Sequence, residues 1–150
     1  MRMPIPHCGK KNNTHGKKML WKNMVILDTN AILRFILRDN LSMEEEVRLL
    51  LSSRVCFIPV EVVAEIVYVL SKIYGVERNV IAKTITDLTK LDSITVAQKE
   101  VVIHAFDVYA STTFDFVDCL LIGYSKEQQY SVFTFDRKLQ GYLNKMDKME

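Results

Sequence analysis

Short apolar runs of β type recur along this chain, each followed by a stretch of helical spacing, and that alternation restricts the fold more than any other feature. Met24–Leu27, Val55–Ile58, Ser93–Val96 and Ser131–Phe135 read as strands. The first is a continuous apolar run, as in a strand buried on both faces. Helical spacing covers Thr29–Arg38, where Ile32, Leu33, Ile36 and Leu37 fall on one side. A second helix is expected to start at Ser42, with acids in its first turn, and to run to about Ser52. Pro59 opens a third, which reaches about Tyr74 and stops at Gly75. Glu77–Leu91, Gln98–Ala110, Phe114–Gln128 and Arg137–Met146 complete the helices. Strands separated by helices predict an α/β fold, a three-layer α/β/α sandwich around a parallel sheet. Functional residues in such folds collect at the carboxyl ends of the strands.

Acids stand at those places. In "VILDTNAILRF", Asp28 follows the first strand directly, and in "VFTFDRK", Asp136 follows the last. Asp118 sits in "FDFVDCLLIGY" on a mostly apolar helix. Glu65, in "PVEVVAEIVYVL", shares a helical face with Val62 and Val69. Glu44–Glu46, by contrast, form an ordinary solvated run. A carboxylate against an apolar face must be paired, protonated or bound to a cation. Each acid has a plain alternative: Asp28 and Asp136 as helix caps, Asp118 as a first-turn acid. Four such acids in one small domain point instead to a shared pocket.

Carboxylates gathered together raise one another's pKa, and a hard divalent cation relieves the repulsion. Mg2+ or Mn2+ suits an all-oxygen donor set. No His adjoins these acids, and the one adjoining cysteine, Cys119, stands in an apolar run, which disfavours zinc. His7, Cys8 and His15 match no metal-ligand spacing. Acids, a metal and water suggest phosphodiester chemistry. GxxxxGK, GxGxxG and GxSxG are all missing, which disfavours nucleotide-triphosphate, dinucleotide and serine-hydrolase chemistry.

The bulk numbers fit one domain: 150 residues, 49% hydrophobic. No uncharged apolar stretch is long enough to span a membrane, and the N-terminus has no secretory h-region. Three scattered cysteines, Cys8, Cys56 and Cys119, read as free thiols of a cytoplasmic protein. The net charge of +2 is uneven, because residues 1–23 hold six basic residues and no acid, leaving 14 basic against 18 acidic in the rest. Residues 1–23 are expected to be a basic, flexible extension, with Met24 a natural start, and residues 24–150 the folded domain. The extension would also suit a nucleic-acid-contacting arm.

Together and in this order, "VILDTN", "VEVVAEIVYVL", "FDFVDCLLI" and "TFDRKL" resemble the motifs of PIN-domain ribonucleases, and more narrowly of VapC-type toxins from prokaryotic toxin–antitoxin pairs. The resemblance covers about Met24 to Tyr142. It implies an acidic pocket that binds Mg2+ or Mn2+ and cuts RNA with metal-activated water. By motif, Asp28, Glu65, Asp118 and Asp136 are its catalytic and metal-holding acids, with Asp115 an accessory acid or a helix cap. Asn30 and Thr134 are expected to orient Asp28 and Asp136, or a metal-held water, by hydrogen bonds. Arg34, Arg38, Lys72, Arg137 and Lys138 lie near the motifs and suit phosphate contacts, Arg34 and above all Arg137 being preferred. Phe35, Tyr68 and Phe116 are expected in the core or an interface. The family also implies an antitoxin protein as partner, and homodimers. A further short strand, common near the end of relatives, has no counterpart here. The competing readings are a non-catalytic PIN-fold binding module and an RNA-processing nuclease without an antitoxin. A haloacid-dehalogenase-like enzyme needs DxD where this chain has Asp28, Thr29 and Asn30, and a receiver domain needs a Lys after a late strand.

Overall fold

The computed structural model describes residues 24–149; the basic segment 1–23 lies outside the described residues. Three parallel strands form one sheet in the order β1-β2-β3: β1 (Val25–Ile26), β2 (Cys56–Ile58) and β3 (Ile94–Val96). Val25 pairs with Cys56, and Cys56 with Ile94. The Leu27 amide still donates to the Phe57 carbonyl at 3.0 Å, so β1 keeps its ladder up to the residue before Asp28. Parallel neighbours require crossovers, and helices supply them. Between β1 and β2 run α1 (Thr29–Leu37) and α2 (Leu41–Ser53). Between β2 and β3 run α3 (Val60–Tyr68), continued by a π-helical turn (Val69–Ile73), and α4 (Arg78–Leu88). After β3 come α5 (Lys99–Ser111), α6 (Phe116–Gln128) and α7 (Arg137–Asp147). The expected α/β class, mostly helical around a parallel sheet, is the one observed.

The core joins both kinds of element. Cys56 and Ile58 of β2 are almost fully buried, together with Ile32 of α1, Ile66 of α3, Ile81 and Ile85 of α4, Phe106 of α5 and Ile122 of α6. The α5–α6 pair packs most extensively. Gly123 permits that approach, since a Cβ there would lie 2.6 Å from the Val101 carbonyl oxygen. Glu44, expected in a solvated run, is instead buried, its carboxylate held by Arg48 at 2.6 Å and by Arg38 at 3.4 Å. Among the described residues, no helix is long and apolar enough to cross a membrane.

Several boundaries differ from expectation. Asn40, not Ser42, caps α2: its side chain accepts from the Met43 amide at 3.1 Å. Pro59 occupies the cap position of α3, and the helix changes to π geometry after Tyr68 before Gly75, at φ +63, ends the run. The largest correction concerns Ser131–Phe135. This segment forms no strand, although its sequence is strongly β-prone. Phe133 and Phe135 are 86% and 90% exposed, so no apolar burial drives it onto the sheet. Ile26 of β1 is likewise exposed.

Candidate active site

Asp28 stands where β1 gives way to α1. Its backbone is extended, and its Oδ1 accepts from the Ala31 amide at 2.8 Å, capping the helix. That bond leaves Oδ2 without a hydrogen bond among the described residues. The next residue, Thr29, donates its hydroxyl to Glu65 Oε2 at 2.5 Å. Thr29 therefore ties the first turn of α1 to the middle of α3 and brings Glu65 to the corner that Asp28 occupies. From the sequence, Asn30 is expected to orient Asp28 or a metal-held water. In the structure Asn30 Oδ1 instead accepts from Arg34 Nε at 3.2 Å.

A second group of acids forms where α6 and α7 begin. Asp118 lies in the first turn of α6, half-buried. Its pKa is pushed up, first by burial and then by the negative charges of Asp136 and Asp115, with Lys138 opposing. Asp115 holds the cap position of α6 but makes no side-chain cap bond, so its carboxylate stays available. Asp136 caps α7: its Oδ1 accepts from the amides of Lys138 at 2.8 Å and Leu139 at 2.9 Å. Thr134 Oγ1 accepts from the Asp136 amide at 3.0 Å and fixes the turn that presents this acid.

Arg78 holds the loop between α5 and α6 in place. Its guanidinium donates to the carbonyls of Tyr109 at 2.9 Å and Phe114 at 2.5 Å, and it lies 3.6 Å from the centre of the Tyr109 ring. Lys138 ties the same loop to α7, donating to Thr113 Oγ1 at 2.6 Å and sitting 4.6 Å from the centre of the Phe114 ring. No short-range motif marks Arg78, so the sequence does not reveal it. Lys138 is visible in "TFDRKL", where the sequence points to its neighbour Arg137 first.

The acids thus fall into two groups, Asp28 with Glu65 through Thr29, and Asp118 with Asp136 and Asp115. The packing of α3 on α6 connects them. Among the described residues, no three His, Cys, Asp or Glu side chains lie close enough together to form a ready-made metal cage. The donor set nevertheless fits Mg2+, which commonly takes only one or two carboxylates and keeps its waters. A half-buried Asp118 opposed by like charges is also a carboxyl that a cation would relieve.

Of the cations considered for phosphate contact, Arg34 is engaged with Asp39 and Asn30, and Tyr74 and Asp39 raise its pKa. Arg137 is exposed at the start of α7. Phe116 is buried in the core, whereas Tyr68 is exposed on α3.

The PIN domain family model matches residues 25–143, from the first residue of β1 into the last turns of α7. No curated protein and no solved structure matches the chain. PIN domains are typically nucleases, bind nucleic acid and generally use divalent metals. The matched span takes in the whole sheet and every acid described above, and the chain belongs to the PIN domain family.

Proposed function

We propose that this protein is a metal-dependent endoribonuclease acting in the cytoplasm as the toxin of a prokaryotic toxin–antitoxin pair. One observation carries the nuclease reading: Asp118 is raised in pKa by burial and by Asp136 and Asp115, acids delivered by two different helix starts. A bound cation would relieve that repulsion. Asp118, Asp136 and Asp28, with Asp115 beside them, would hold Mg2+ or Mn2+. When bound, the cation polarises the phosphate oxygens and lowers the pKa of water.

The remaining steps belong to the side chains. Glu65, oriented by Thr29, takes the proton of the attacking water. The water oxygen forms a bond to phosphorus as the bond to the ribose 3′ oxygen breaks, and the departing 3′ oxygen takes a proton from solvent. The products carry a 5′-phosphate and a 3′-hydroxyl. The ribose 2′-hydroxyl is not the nucleophile in this scheme. Residues 24–150 form the nuclease domain, and residues 1–23 a basic extension ahead of it.

The toxin role rests on the four sequence motifs taken together. It carries a partner with it, a small antitoxin whose basic groups fit the acid site, and a homodimeric assembly. Tyr68, Ile73 and Tyr74 form an exposed apolar surface along α3 and its π turn that suits either contact.

The test compares wild type with Asp28→Asn on a structured RNA in Mg2+, Mn2+ or EDTA. Cleavage that needs both the metal and Asp28 is expected. Equal cleavage by the two proteins, or none with any metal, overturns the carboxylate mechanism and favours a binding module of the same fold.

A further inference from the structure

Two acids of the site, Asp115 and Asp118, are placed by the start of α6, and that start lacks the usual device for fixing a helix end. Asp28 and Asp136 cap their helices with their side chains, whereas Asp115 holds the cap position and makes no cap bond. Without a capping side chain, some other group must fix where the helix begins. The α5 side of the loop is held locally: Thr112 Oγ1 donates to the Val108 carbonyl at 2.8 Å and accepts from the Phe114 amide at 3.3 Å. From Phe114 onward the hold comes from another helix. Arg78, in the first turn of α4, grips both residues that flank Asp115. It donates to the Phe114 carbonyl directly. It reaches Phe116 through Tyr109, whose ring lies 3.6 Å from the guanidinium and meets the Phe116 ring edge to face, with centroids 5.6 Å apart. Its Nε goes to the Tyr109 carbonyl, so one guanidinium spans the end of α5 and the approach to α6. Burial, Asp136 and Asp115 raise the pKa of Asp118, and the cation that opposes them is Lys138. Arg78 therefore bears on the acids through their position.

We propose that Arg78 is a positioning residue for the metal-holding acids. By bridging the Tyr109 and Phe114 carbonyls and backing the Tyr109–Phe116 ring pair, it sets where α6 starts, and so the spacing of Asp115 and Asp118 from Asp136. This inference rests on the nuclease reading and adds to it a residue that acts through the backbone of its neighbours. Mg2+ demands near-ideal octahedral geometry. Asp136 reaches the site from a different helix, α7. A shift of the α6 start against α7 therefore costs cation affinity even where the fold survives. Groups that orient metal-holding side chains from behind commonly contribute about 10–100-fold to metal affinity. The planar fork of a guanidinium suits the task, because its donors hold two carbonyls in one fixed geometry while its face lies on a ring.

The experiment measures Mn2+ binding to the full chain by electron paramagnetic resonance, which counts the free ion, beside urea unfolding in EDTA. Wild type should bind Mn2+, and Asp118→Asn should weaken that binding, which identifies the site. Arg78→Met keeps an apolar stem but no donors, and should weaken Mn2+ binding by about tenfold or more. Arg78→Lys keeps the charge but not the fork. It should stay folded and still bind Mn2+ more weakly than wild type. Ile85→Val, a core change about two turns along α4, should lower stability and leave the Mn2+ affinity at its wild-type value. N-ethylguanidinium, added to Arg78→Ala well below denaturing concentrations, should restore binding, because it returns the fork to the gap.

Wild-type Mn2+ affinity in both Arg78→Met and Arg78→Lys, with only stability lowered, would make Arg78 an ordinary structural tie and overturn the proposal. So would an equal loss of affinity in Ile85→Val, since any loosening of α4 would then suffice. A loss in Arg78→Ala that the added guanidinium does not reverse would overturn it too. Each of these results leaves the nuclease reading standing, because wild type still binds Mn2+ through Asp118. A wild type that binds no Mn2+ sinks the positioning role and the metal-dependent reading together.

Discussion

Replacing Gly123 with alanine tests the close approach of α6 to α5. The new Cβ would sit 2.6 Å from the Val101 carbonyl oxygen and 3.2 Å from Val101 Cγ1, whereas ordinary contact begins near 3.4 Å. The difference between 3.4 and 2.6 Å means that about 0.8 Å must open against a backbone atom. A side chain could rotate aside, but a carbonyl within α5 moves only with its helix. Overpacking of this kind costs about 1–3 kcal/mol. Alanine returns about 0.5–1 kcal/mol through its better helix propensity. With mid-range values of about 2 and about 0.75 kcal/mol, the net expectation is a loss of about 1.25 kcal/mol, or a fall in Tm of about 3–5 °C for a chain of this size. Gly141 supplies the control. It lies within α7, and a Cβ there meets nothing within 4 Å. Gly141→Ala should therefore stabilise by about 0.5–1 kcal/mol. Urea unfolding followed by circular dichroism reads both. If Gly123→Ala is as stable as wild type while Gly141→Ala shows its gain, the close packing of α5 on α6 is wrong.

The remaining expectations concern the site. Thr29→Val removes the hydroxyl that holds Glu65; RNA cleavage should fall by about 10–100-fold, with little change in Tm, in a rate assay run beside a thermal melt. Asp118 has a folded pKa above the ordinary aspartate value of 3.8, so the folded chain holds a proton that the unfolded chain has released, and its ionisation destabilises the fold as pH rises through that interval. In EDTA at neutral pH, Asp118→Asn should therefore be at least as stable as wild type, and the difference should vanish below the unfolded pKa of about 3.8. Addition of Mg2+ should raise the wild-type Tm and leave that of the variant nearly unchanged. Cys119 is fully buried and its thiol pKa is pushed up to about 11, so it should resist alkylation at pH 8 until urea unfolds the chain, as mass spectrometry of the labelled protein would show.

Much of the architecture was legible because it is local. Val25–Leu27, Cys56–Ile58 and Ile94–Val96 are short apolar runs with turn or cap signals beside them, and each pairs as a strand would. Ser131–Phe135 has equally good strand chemistry. Pairing, however, needs a partner edge and a face to bury, neither of which a local pattern encodes. The boundary of α2 failed for a related reason: Asn40 and Ser42 both suit a cap, and the choice depends on which amide lies in reach. The acids stood out as charges in apolar company. Their supports did not, since nothing in "DTN" says that Thr29, and not Asn30, faces another helix. Arg78 was invisible because its partners, Tyr109 and Phe114, are more than 30 residues away in sequence.

That distant arginine gives the site a particular dynamics. The loop carrying Thr113 to Asp115 has no hydrogen-bonded ladder of its own, and Arg78 in the first turn of α4 is one of the groups that fix it. Fraying of α4 at its N-terminus would therefore release Phe114, and with it the position of Asp115 and Asp118. Backbone amides around residues 112–118 should then exchange with solvent in step with those at the start of α4, although the two lie far apart along the chain. The order of the acid cluster is in this sense a property of a remote helix end, which links the protein's local opening reactions to the readiness of its site.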